Sequence, residues 1–425
     1  MTNTQFWLLI SITVLMAIYL IARLNTYWIY HLFDHALTNG RGSIDTAYER
    51  PRYFRVDAHG TLDKKKRWPG WDGWYFFMIP DIGQLPLKMV RASIMTGLYG
   101  LNGIDDYALL PSGIGPFHAV EHLTMTLVDD EDDHETLDST ERVPRSNRLL
   151  HFYAPKDCLT MDPQILRVEI RTTGNDRSMG SGYSGTIHGA WPEYHFAFHD
   201  SAWGQEITLK YVAKDIIWWA DVRGVFTYFA SFGQFVGTIK YSFPPDDSSS
   251  QNPPKYVTRP ISGAGAFEHG FARKPFSFDW AYVPVRALRT ILPEFRPVQY
   301  HYQLLLGDDG FHGGFMYASA FGIEFRNRGG FYSRGRYIPI ECVKIQYTET
   351  REVHPGAPNP NRSMKFPKAW TVSAETAEGR LQINVISGWP PARITSNMIY
   401  YHYSFEATYQ GEKIRGSGYG EYLSL

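Results

Sequence analysis

The string Phe267-Glu268-His269 is the part of this chain best suited to proton-transfer chemistry. A carboxyl in an apolar site keeps its proton near neutrality, because burial penalises the charged form, and it can then act as a general acid. The adjacent imidazole of His269 can relay that proton or hold a water. The same two side chains can instead do no more than satisfy backbone groups where two domains meet. A second constellation is Phe117-His118-Ala119-Val120-Glu121-His122. As a strand it places His118, Val120 and His122 on one face and Glu121 on the other. As a helix it gives HxxxH spacing, half of a zinc site with no evident third ligand, so no metal is expected. Asp279, Trp280 and Tyr282 follow Glu268 closely, and strand alternation would put the two rings on one face. Such rings can line a pocket and stabilise a developing cation by about 1–2 kcal/mol when desolvated, or they can simply pack a core. Together with His118 and His122 they form the expected substrate-binding set. Trp218-Trp219 is open to the same two readings.

Other chemistries lack their signatures. There is no GxGxxG opening a helix after a strand, no GxxxxGK and no GxSxG, so neither a nucleotide cofactor nor a serine nucleophile is expected. Gly307-Asp308-Asp309-Gly310 reads as a hairpin turn. A formal net charge of −1, without a long basic stripe, disfavours nucleic acid as a partner. Cys158 and Cys342 are too few for a disulfide framework. The acidic run Asp129 to Glu135 reads as a solvated loop lacking the ligand spacing of a calcium site.

The elements that must position these residues are mostly strands. Aromatic residues make up 16% of the 425 positions, and 38 Gly with 26 Pro supply frequent turns. Phe6 to Ala22 is an uncharged apolar run closed by Arg23 and followed by Tyr27, Trp28 and Tyr30. It reads as a membrane-spanning anchor with interfacial aromatics. A cleaved signal peptide competes with this, but no Lys or Arg precedes Phe6 and no small-x-small cleavage site follows. Arg23, Arg41 and the Lys64 to Arg67 run all lie on the C-terminal side, which predicts a single-pass protein with its body in the cytoplasm. Lys64 to Arg67 can also be a solvated turn or a contact for anionic lipid. The expected organisation is an anchor and interfacial segment over 1–40, a linker over 41–70, and a first β-domain over 71–243. The Pro- and Ser-rich run 244–260 then serves as interdomain linker before a second β-domain over 261–425. Strand candidates fall at 73–79, 117–128, 149–153, 165–172, 195–199, 207–212 and 232–243, and then at 299–306, 314–321, 341–348, 370–374, 380–386, 398–409 and 413–422. Many short strands without intervening helices imply two antiparallel sandwich or barrel domains.

Three segments carry a family resemblance. Gly73-Trp74-Tyr75-Phe76, after Trp71-Asp72, resembles the early aromatic strand of tocopherol-cyclase-like proteins. Gly263-Ala264-Gly265-Ala266-Phe267-Glu268-His269-Gly270 is similar to the glycine-aromatic-acidic segment of carotenoid hydratases, although Glu268-His269 stands where that pattern has an Asp-centred string. Gly416-Ser417-Gly418-Tyr419-Gly420-Glu421 resembles the closing strand of the same superfamily, which includes Diels-Alderase-type cyclases; its GSGY string also occurs at 180–183. The resemblance implies two lipocalin-like β-domains. It also implies a hydrophobic isoprenoid, polyene or polyketide substrate that is hydrated, isomerised or cyclised without a redox cofactor. In that setting Glu268 is the expected general acid and His269 its partner. A non-catalytic lipid carrier can use the same fold, and it would need an apolar cavity without convergent polar groups.

Overall fold

The computed structural model describes residues 3–39, 70–81, 87–96, 119–127, 152–154, 159–162, 165–171, 183–200, 205–222, 226–242, 256–273, 298–324, 329–353, 364–388, 393–394 and 398–424. Helix α1, Asn3–Ala36, comes first. Its segment Thr4–Trp28 has a mean hydropathy of 2.1 and is long and apolar enough to cross a membrane, a property that anchors and signal sequences share.

The first sheet contains β1 (Leu37–Asn39), β2 (Gly70–Pro80), β3 (Leu87–Thr96), β4 (Ala119–Leu127), β5 (Phe152–Ala154) and β6 (Leu159–Met161). It continues with β7 (Leu166–Arg171), β8 (Tyr183–Ala190), β9 (Glu193–Asp200), β10 (Gln205–Val222), β11 (Phe226–Ser242) and β12 (Tyr256–Arg273). Its antiparallel order is β5-β4-β3-β2-β12-β11-β10-β9-β8-β7-β6, with β1 added to β10. The second sheet contains β13 (Val298–Gly307), β14 (His312–Ala320), β15 (Ile323–Glu324), β16 (Gly329–Ser333), β17 (Arg336–Ile340) and β18 (Cys342–Val353). β19 (Met364–Thr376), β20 (Gly379–Ser387), β21 (Arg393–Ile394), β22 (Met398–Tyr409) and β23 (Glu412–Ser424) complete it. Its order is β17-β16-β14-β13-β23-β22-β20-β19-β18, with β15 on β14 and β21 on β22. The expected mostly-β architecture, two antiparallel sheets after one apolar helix, is therefore present.

Both sheets curl. β2 and β9 stand four positions apart, roughly 19 Å on a flat sheet, yet the rings of Phe76 and Phe196 lie 4.7 Å apart. Likewise β13 and β18 are five positions apart, and the rings of His301 and Tyr347 approach to 5.8 Å. Each curled sheet thus has a concave side packed with rings. In the first sheet that side holds Phe76, Tyr194, Tyr211 and Phe267. In the second it holds Trp370, Tyr401, Tyr403 and Phe405.

The expected boundary at 244–260 does not separate the sheets. β12 pairs with β11 along its whole length and with β2 from Gly263 to Arg273, so residues 256–273 belong to the first sheet, and the second begins at Val298. Pro260 is tolerated because it lies beyond the last residue paired with β2, where β12 has one neighbouring strand. The glycines that follow have a packing reason. A Cβ on Gly263 would sit 2.1 Å from the carbonyl oxygen of Ile79, so a side chain there would push β2 and β12 apart.

The turn expected at Gly307 to Gly310 forms as one short 3-10 turn joining β13 to β14, with Asp309 at φ 54°. In the C-terminal glycine string, Cβ atoms on Gly418 and Gly420 would lie 2.3 and 2.2 Å from the rings of Tyr403 and Tyr401. Gly180 to Gly182 of the earlier GSGY copy lie outside the described residues, and Tyr183 opens β8. Replacing Gly420 with Ala is expected to lower stability by about 1–3 kcal/mol through overpacking. The urea midpoint in detergent, set beside that of Lys413→Ala at an exposed site on the same strand, measures it; equal midpoints would refute the packing role.

Candidate functional site between the sheets

Alternation along β12 decides where the candidate acid points. Phe267 and His269 face the concave side of the first sheet, where His269 is fully buried and stacks on Trp74 at 4.8 Å with planes 4° apart. Glu268 faces the opposite, convex side. That convex face packs against the convex face of the second sheet through Phe77, Ala230, Phe232 and Ala266 on one side and Tyr302, Leu304, Tyr419 and Leu423 on the other. The Phe77 and Tyr419 rings stack across the junction at 4.3 Å. Beside them Tyr302 donates its hydroxyl hydrogen to Oε1 of Glu268. Glu268 is 5% exposed and Tyr302 is 2% exposed.

The two residues expected to act together, Glu268 and His269, are therefore on opposite faces of one strand. The partner that the fold supplies to Glu268 is Tyr302, 34 positions along the chain and on the other sheet. Flanking Glu268 on the same face are the small Ala266 and Gly270 along β12 and Ala230 across on β11, with Tyr75 opposite on β2. Asp279, Trp280, Tyr282 and His118 lie outside the described residues. His122 belongs to β4, a strand and not the helix that HxxxH spacing requires, and it pairs with Ser93 on β3.

β13 carries a second buried polar group on its other face. His301 and Gln303 are fully buried on the concave side of the second sheet. Nδ1 of His301 lies 3.1 Å from the Tyr347 hydroxyl, and Nε2 meets the Tyr401 hydroxyl and, at 2.9 Å, Nε2 of Gln303. Burial pushes the Tyr347, Tyr401 and Tyr403 phenols far up, so they stay protonated, and Tyr401 can donate to Nε2 of His301. Burial also holds His301 down at about 3, so the ring is neutral. The consistent tautomer has Nδ1–H donating to Tyr347 while Nε2 accepts. Among the described residues, Oε1 of Gln303 and Nε1 of Trp370 have no hydrogen-bond partner. The reading of 299–306 as a strand did not single out His301, Gln303 or Tyr302. Polar residues at 299, 301 and 303 alternating with aromatic and apolar ones would by themselves signal one solvated face, so the sequence held no sign that His301 and Gln303 are buried.

An open hollow of about 420 Å³ is lined by Val236, Gly237, Arg259, Pro260, Ile261 and Ser262. It lies roughly 20 Å along β12 from Glu268 and gathers none of the candidate residues.

No protein-family model matches the chain, and no curated protein sequence does. Among solved structures the chain is similar to kievitone hydratase from Nectria haematococca, with 8% identity and a TM-score of 0.36 over 88% of this chain and 97% of that one. It is also similar to a loop-deletion mutant of OmpT, an outer membrane protein of Vibrio cholerae, with 8% identity and a TM-score of 0.15 over 84% and 97% of the two chains. Superpositions this loose carry no argument about activity.

The neutral His301 makes a pH prediction. The folded state excludes a proton that the unfolded chain binds below the ordinary value of 6.5, so stability is undiminished above 6.5 and falls as pH drops toward 3. This one group is expected to remove about 2 kcal/mol between pH 7 and pH 5. Urea titrations at both values should show a smaller acid loss for His301→Asn than for the wild type; parallel losses would count against proton exclusion at this ring.

Proposed function

We propose that this protein is a membrane-tethered hydratase, isomerase or cyclase that protonates a carbon–carbon double bond of a hydrophobic, isoprenoid or polyene-like substrate, with Glu268 as the general acid. The observation that carries this reading is the buried Glu268 carboxyl between two sheets, with the Tyr302 hydroxyl directed at it. Burial opposes ionisation before the reaction, and the Tyr302 O–H stabilises the carboxylate that proton transfer leaves behind. In the proposed step the Glu268 proton forms a new C–H bond and the alkene electron pair is consumed, leaving a carbocation. Water adds to give an alcohol and returns a proton to Glu268, or an internal nucleophile closes a ring, or loss of a neighbouring proton moves the double bond. No oxidant or reductant is needed. His269, stacked on Trp74 behind the strand, would act by fixing β12 and not by touching substrate.

The rest of the reading concerns supply. A lipid-soluble substrate is concentrated in a bilayer, and the apolar α1, taken as an anchor with the body on the cytoplasmic side, would hold the inter-sheet surface beside it. Lipid extracts from cells carrying the intact gene, no gene, Glu268→Gln or Tyr302→Phe can be compared by mass spectrometry. The expected result is one hydrophobic metabolite that accumulates equally in the deletion and Glu268→Gln strains, with loss of a product of equal mass or one water heavier. Tyr302→Phe should slow turnover by roughly ten- to a hundredfold, the scale of losing one charge-assisted hydrogen bond of 1.5–3 kcal/mol. If Glu268→Gln matches wild type while the deletion merely redistributes lipids, the protein is a lipid carrier and the catalytic assignment fails.

A further inference from the structure

α1 is not free along its apolar length. The Tyr19 hydroxyl donates to the carbonyl oxygen of Phe321 at 3.4 Å, and the two rings meet edge to face at 6.1 Å. Tyr19 and Ala22 pack on the apolar cluster between the sheets, and Thr26, one turn further, is buried. These three residues lie on one stripe of the helix. Beyond the end of α1 the chain stays on the body, where β1 pairs with β10. The helix is therefore docked from Tyr19 onward.

Docking leaves too little helix to cross a bilayer unaided. The 15 residues from Thr4 to Ile18 span about 22 Å at 1.5 Å per residue, whereas the hydrocarbon layer is about 30 Å thick. The shortfall is about 8 Å. A second observation points the same way. On the sides of α1 that face away from the body, Leu20, Ile21, Leu24, Tyr27 and Trp28 are 50–69% exposed. Apolar surface thus continues alongside the docked segment, where a body held clear of the membrane would leave it in water. Two polar groups limit the depth. Arg23 stands four residues beyond Tyr19, about 6 Å toward the head groups, within reach of them by snorkelling. Glu324, which accepts from the Tyr317 hydroxyl at 3.5 Å, lies roughly 7 Å along the strand from Gly322. Both suit head-group level when the turn at Phe321 and Gly322 lies several ångströms below it.

We propose that the body sinks this edge, the β14–β15 turn with Tyr19 against it, into the acyl region of one leaflet, so that the cluster between the sheets meets lipid directly. The proposal rests on α1 being a retained anchor. The partner is the acyl layer of a bilayer, and the consequence is a path from lipid to the Glu268 face that does not pass through water.

The test uses the unaltered full-length protein in phosphatidylcholine vesicles containing a small fraction of phosphatidylcholine with a diazirine on its acyl chain. After photolysis, adducts are mapped by proteolysis and mass spectrometry. Adducts are expected on α1 and, at comparable yield, on the peptide holding Phe321 to Ile323, with none on the exposed turn at Gln410 and Gly411. Adducts on α1 without any at 321–323 would overturn the immersion while leaving the anchor intact. An absence of adducts on both segments would overturn the anchor reading itself.

Discussion

Both faces of β12 from Gly265 to Gly270 and of β13 from His301 to Leu305 are buried, and the arrangement of everything else around the candidate site follows from that. A strand at the edge of a single core can leave one face to water, with polar residues there at little cost. Here the concave face of each strand fills its own curled sheet, and the convex face meets the other sheet. A polar side chain in these stretches therefore depends on partners inside the protein, because a buried polar group without a hydrogen bond is costly. Glu268 on one strand and Tyr302 on the other meet this demand across the junction.

The same constraint explains why the aromatic content is so high. Two curled sheets back to back present three buried layers, the two concave cores and the junction between them. Rings fill such layers with large area and few rotatable bonds. Glycines then appear where rings from the neighbouring strand need the space, as Gly418 and Gly420 show beneath Tyr403 and Tyr401. Tyr401 on β22 in turn reaches His301, so the glycine string on β23 helps to position the neutral imidazole on the adjacent strand β13. The burial that keeps His301 neutral also makes it a source of acid sensitivity.

α1 joins this system at its margin. Tyr19 and Ala22 extend the apolar junction by one more layer, and Phe321 receives the Tyr19 ring. The apolar helix and the junction between the sheets are consequently parts of one packed surface.

The sequence by itself determined the mostly-β class, many of the strands, the turn at Gly307 to Gly310 and the apolar helix, because alternation, turn residues and hydropathy act over a few neighbouring positions, but it passed over β3, β8, β16, β17 and β12 itself. It also singled out Glu268, as a carboxyl between Phe267 and His269 just after the Pro- and Ser-rich run. It put the boundary at 244–260, whereas β12 starts inside that run at Tyr256 and joins the first sheet, because a Pro- and Ser-rich run does not say which sheet the next strand joins. Only the tertiary structure decided that Glu268 meets Tyr302 while His269 meets Trp74. Adjacent residues on a strand point in opposite directions, and when both directions lead into apolar layers the local pattern cannot say which layer holds which partner.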